Sequence, residues 1–136
     1  MSMPLAPRRG AAAVEFALTL PVVLVIATAI LDYSWFLNRS ADVLTAVREG
    51  TRHGATIEQD DDPGAEAVTH TEAALNGYGF TCSGSCSVNA FVGEVDGMAT
   101  VSVQATVPYE PIVGLVPTPE NMGATLVMAL EDQSED

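Results

Sequence analysis

The stretch RRGAAAVEFALTLP, residues 8–21, decides how the chain is read. Two arginines, a glycine and three alanines lead into an apolar run that carries one carboxylate, Glu15, near its start. From Ala11 to Leu31 Glu15 is the only charged residue, and these 21 positions match the ~20 residues a helix needs to cross ~30 Å of hydrocarbon. Arg8 and Arg9 precede the run and Asp32 follows it, so the positive-inside rule places residues 1–10 in the cytoplasm and the rest outside. Tyr33 and Trp35 fall where an outer aromatic belt is expected.

Three kinds of membrane element fit this pattern: a permanent single-span anchor, a secretory signal, and a prepilin-type signal from which only a short leader is removed. Ala27-Thr28-Ala29 has the A-x-A form that closes a secretory signal. Against that reading, the apolar character continues through Ile30 and Leu31 to Trp35, Phe36 and Leu37. Leu37, Ala41, Leu44 and Val47, with Val43 beside them, then keep the three-to-four-residue spacing of an amphipathic helix. No Gly or Pro interrupts between Val22 and Glu49, so residues 11–53 predict a rod of ~65 Å at 1.5 Å per residue. Cleavage after Ala29 would discard half of it. Pro21 removes one backbone hydrogen bond and crowds the preceding turn, which predicts a kink that transmembrane helices tolerate.

Glu15 calls for a partner, because a carboxylate in the apolar region costs about 2.5–3.5 kcal/mol at a helix centre and less near the interface. One solution is to reach water at the cytoplasmic end. The other uses Gly10: a cut after it gives Ala11 a free α-amino group, and a positive amine neutralises a carboxylate. RRGAAAVEFALTLP with its apolar continuation, together with AVREGTRHGA at residues 46–55, resembles the TadE-like family of minor pilins, or pseudopilins, of the tight-adherence (Flp-type) pilus. The resemblance is close over about the first 55 residues and only in outline beyond. It implies cleavage by a prepilin peptidase between Gly10 and Ala11, with Glu15 as the acid five residues past the cut and Phe16 as its neighbour. The implied partners are that peptidase, other pilin and pseudopilin subunits, and the assembly platform in the cytoplasmic membrane. The alternative is a membrane-anchored extracytoplasmic binding module whose leader stays in place.

In VREGTR, Glu49 is spaced to pair with Arg52 and to contact His53, while Arg48 and Arg52 repel, each effect worth only ~0.2–0.5 kcal/mol. A solvated helix face is the plain reading of Arg48, Glu49 and Arg52, and a contact with another pilin is the one the resemblance adds.

The 136 residues carry 18 acids against five arginines and no lysine, a net charge of −13, which excludes a phosphate-driven nucleic-acid partner. With 48% hydrophobic residues the acidity belongs to the surface of a folded chain. Four segments follow: a leader at 1–10, a transmembrane helix at 11–31, its continuation at 32–56, and a small α+β module at 57–136. Asp60, Asp61 and Asp62 are consecutive and lack the alternating oxygens of an EF-hand loop, so no metal is assigned. They read as punctuation: Asp62 as N-cap, Pro63 at the first helical position, and Asn76-Gly77 at the end of a second helix that buries Ala67, Val68, Ala74 and Leu75.

MATVSVQATV alternates Val101, Val103, Ala105 and Val107 with Thr100, Ser102, Gln104 and Thr106, a half-buried strand. CSVNAFV before it and TLVMALE near the C-terminus are its expected partners, the first through a hairpin at Asp96-Gly97. The expected architecture is α+β: a long N-terminal helix, a short second helix, and about three antiparallel strands packed on the upper half of the rod. The proline-rich link VPYEPIVGLVPTPE, 107–120, reads as neither helix nor strand. Ile112, Val113, Leu115 and Val116 are expected to cover the core, whereas an exposed tip would mark a contact surface. Cys82 and Cys86, in TCSGSC, are expected to form a disulfide in an oxidising compartment. No nucleophile elbow, phosphate loop or zinc motif frames the Ser, His and Asp residues, so neither catalysis nor a cofactor is expected.

Overall fold

The computed structural model describes residues 9–82 and 84–131. Most of the expected leader, residues 1–8, and the last five residues of the module lie outside that range. The elements are α1 (Arg9–Ala55), a 3-10 turn (Gln59–Asp61), α2 (Pro63–Gly77), β1 (Ser87–Val95), β2 (Met98–Pro108) and β3 (Asn121–Ala129). The chain divides into two compact units: α1 as far as Trp35 with Pro111–Thr118, and Phe36–Glu110 with the segment from Pro119 onward.

In the first unit every residue of α1 from Gly10 to Ala27 is exposed. Two hydroxyls in this apolar stretch are satisfied by their own helix: Thr19 donates to Phe16 O at 3.2 Å and Thr28 to Val25 O at 3.0 Å. Pro21 lies inside the helix without ending it. Asp32 is fully buried beneath the loop. Its two carboxylate oxygens accept the backbone N–H groups of Val113 at 2.9 Å and Gly114 at 3.0 Å. Tyr33 adds a hydrogen bond from its hydroxyl to Pro117 O at 3.2 Å.

In the second unit the sheet has the order β1-β2-β3, antiparallel throughout. Asp96 and Gly97 both take positive φ, 52° and 81°, the mirror-image turn whose twist matches a two-residue hairpin. Val101, Val103, Ala105 and Val107 are buried on one face, as the alternation predicts. Register places Ala90 and Leu126 beside Val103, and Met122 beside Val107. That face joins Val43, Ala46 and Val47 of α1 and Ala67 and Leu75 of α2 in one core. On the opposite face Phe91 and Val127 flank Ser102 and stay exposed. Strand β3 starts four residues before the expected TLVMALE segment, because Met122 supplies a core residue that the apolar run alone does not include.

Asp62 caps α2 as expected, its side chain accepting Ala65 N–H at 3.1 Å, with Pro63 next. At the other end α2 stops at Gly77, as expected, and the left-handed residue just beyond it is Gly79 (φ 81°). Gly79 N–H reaches Asn76 O and Phe80 N–H reaches Leu75 O, each at 3.0 Å, the two bonds of a Schellman cap. Of the four residues expected to be buried on α2, Ala67 and Leu75 are, while Val68 and Ala74 are half-buried.

Two expectations are corrected. The buried stripe of α1 does not run along Leu37, Ala41 and Leu44: Leu37 is 66% and Leu44 39% exposed, and Ala41 is exposed as well. The face turned inward carries Val43, Ala46, Val47, Gly50, Thr51 and Gly54. Small residues sit there because α2 comes close. A β-carbon on Gly54 would stand 2.6 Å from Ala67 Cβ and 2.8 Å from Pro63 O. The apolar link does not cover the core either, since Ile112 and Leu115 are 62% and 67% exposed and Val113 is also exposed. With the loop drawn to Asp32 by its backbone, those side chains turn outward.

Candidate functional site

The N-terminal residues singled out in the sequence lie along one exposed stretch of helix. Gly10 has open space where a β-carbon would project. Ala11 and Glu15 are exposed, and Phe16 is 64% exposed. Glu15 is thus a lone carboxylate on an uncovered apolar rod, one turn beyond Ala11. The helical span Gly10–Ala55 holds a window long and apolar enough to cross a membrane, and none of that window is buried. Such a surface calls for lipid or apolar neighbours.

The charged block further along α1 lies on an exposed helix face, with one contact the sequence did not suggest. Arg48, Glu49 and Arg52 are all exposed, and Glu49 accepts a hydrogen bond from the Tyr78 hydroxyl at 2.9 Å. That bond, with the negative charge of Glu49, raises the Tyr78 pKa above its ordinary 10.0. His53 stacks on His70 of α2 with ring centroids 3.6 Å apart, and its Nε2 stands 3.9 Å from Glu66 Oε2. Glu49, Arg52, His53, Thr56 and His70 line a shallow hollow of about 350 Å³. Among the described residues no three His, Cys, Asp or Glu side chains gather as ligands for one metal ion.

Residues 10–52 match the family model for TadE-like protein. The TadE-like segment therefore begins at Gly10, runs the length of the uncovered helix, and ends in the charged block at Arg52. It stops short of α2 and the sheet. No curated protein and no solved structure matches the chain.

Within the TadE-like segment, sequence reasoning missed three residues that organise the structure. Arg39 is one: its guanidinium donates to Tyr78 O at 2.9 Å, meets Asp42 at 3.3 Å and lies 3.8 Å from the centre of the Phe80 ring. It fastens the Schellman end of α2 to α1. Gly50 is another, pressed against Thr71 and Ala67 O. Asp32 is the third. Its position just after the apolar run reads only as a boundary, and the residues it binds, Val113 and Gly114, lie some eighty positions away. Beyond the segment, Cys82 and Cys86 are joined in a disulfide as expected.

Proposed function

We propose that this protein is a minor pilin or pseudopilin of a tight-adherence (Flp-type) pilus, made as a precursor and cut by a prepilin peptidase between Gly10 and Ala11. The observation that carries the proposal is a family match that opens at Gly10 and takes in an apolar run, residues 11–31, whose one charge, the exposed Glu15, stands five residues past that glycine. Residues 11–31 hold the subunit in the cytoplasmic membrane, with the leader in the cytoplasm and the rest outside. During assembly the α-amino group of Ala11 on a neighbouring subunit neutralises Glu15, and Phe16 packs beside that contact. The loss of Arg8 and Arg9 takes the side-chain charge from −13 to −15. The protein acts as a structural or assembly subunit, with no chemistry of its own.

The competing reading is a single-span anchor for an extracytoplasmic binding module. It draws support from the helical conformation of the described residues from Arg9 onward, which includes the Gly10–Ala11 bond. Glu15→Ala separates the two. A pilin with this change enters the membrane normally but fails to join pili, whereas normal piliation overturns the charge-pairing role.

A further inference from the structure

The loop Pro111–Thr118 is fixed to α1 by two successive residues, Asp32 and Tyr33, the first positions after the apolar run ends. Residues 10–27 of α1 are exposed throughout; burial begins at Thr28 and Ala29, one turn before Asp32 on the same helix face. The covering that buries Asp32 thus reaches back into the last turn of the apolar run. The loop carries no charge between Glu110 and Glu120. Its outward side chains, Ile112 and Leu115, are as exposed as Ile30 and Leu31 of the helix, at 62% and 67% against 61% and 56%.

We infer that this loop is a second membrane-contacting element, seated in the head-group and upper acyl region of the leaflet that α1 leaves at Asp32. The inference rests on reading residues 11–31 as a membrane span, and it adds a lipid site that the span does not require. Non-helical backbone is expensive near lipid because unpaired N–H and C=O groups lose water. Here the cost is reduced in three ways. Pro111, Pro117 and Pro119 have no N–H to satisfy. The N–H groups of Val113 and Gly114 are taken by the Asp32 carboxylate. The Pro117 carbonyl is taken by Tyr33. Tyr33 and Trp35, 45% and 40% exposed, lie at the level where aromatic side chains favour the interface. An apolar tip with part of its backbone satisfied, next to the end of an apolar helix, has the chemistry of an interfacial anchor. A water-facing loop needs none of it.

The test uses the full chain in phosphatidylcholine–phosphatidylglycerol nanodiscs, with a thiol-reactive environment-sensitive fluorophore at Leu115→Cys, Leu24→Cys or Thr125→Cys. Cys82 and Cys86, being disulfide-bonded, do not take the label. The expected result is blue-shifted emission at position 115, lost to lipids bearing a nitroxide high on the acyl chain and insensitive to iodide. Position 125 should show the reverse. Iodide quenching at 115 while 24 remains lipid-quenched overturns the inference and leaves the span intact. Quenching of 115 by neither agent also overturns it, because a second protein copy then covers the loop. Iodide quenching at position 24 removes the span and the inference together.

Discussion

Gly50 of α1 lies against Thr71 of α2 so closely that a β-carbon there would collide with the Thr71 hydroxyl and stand 2.8 Å from Ala67 O. Thr71 cannot readily give way, since it is buried and its hydroxyl donates to Ala67 O at 2.7 Å. Gly50→Ala should destabilise the detergent-solubilised protein by about 1–3 kcal/mol through overpacking. Thermal denaturation measures it. Adding Thr71→Ala should recover part of the loss, because the two sites share one contact. Independent, additive effects would contradict the close-packing account.

Arg39 supports the same helix pair from the other end. Arg39→Ala leaves Tyr78 O without its donor and uncovers the Phe80 ring, for an expected loss of about 1.5–3 kcal/mol. Asp42→Ala should cost under about 1 kcal/mol, since that ion pair is partly exposed. Equal effects of the two substitutions in denaturant unfolding would show the ion pair, and not the carbonyl contact, to be what matters.

The Tyr78–Glu49 hydrogen bond gives a pH dependence with a definite sign. The folded pKa of Tyr78 lies above 10.0, so the bond's contribution is present below pH 10 and fades as pH rises through the folded value. Glu49→Gln should move the tyrosinate midpoint of Tyr78 down toward 10.0 in an ultraviolet titration. An unchanged midpoint would mean that Glu49 is not its partner.

The Cys82–Cys86 bond closes a very short ring, for which the chain-entropy relation gives about 2 kcal/mol. Reduction should therefore lower the melting temperature without unfolding the sheet. Unfolding at room temperature on reduction would assign the bond a larger part than its ring size allows.

Much of this fold was legible because its signals are periodic or chemical. The alternation from Val101 to Val107, the Asp96-Gly97 turn and the Asp62-Pro63 helix start each state a local geometry, and each is found. The buried side of α1 was legible only at Val43 and Val47. A hydrophobic stripe points to Leu37 and Leu44, yet close helix contact selects Gly50 and Gly54, whose value lies in the missing side chain. The end of α2 at Asn76-Gly77 was legible as well; the left-handed Gly79 that completes its cap was not singled out. Of the candidate site, the Gly10–Phe16 stretch stood out in the sequence, and the family match opens there. The bond from Asp32 to Val113 and Gly114 joins residues some eighty positions apart, and nothing local to either announces it.

The central claim is that Gly10–Ala11 is a processing site. The measurement that tests it most directly is the intact mass and N-terminal sequence of the membrane-extracted protein, from cells with and without a prepilin peptidase. The account predicts a chain beginning at Ala11 when the peptidase is present and the full precursor when it is absent. A precursor that keeps residues 1–10 in both cells, or a chain that begins at Ile30, would contradict it.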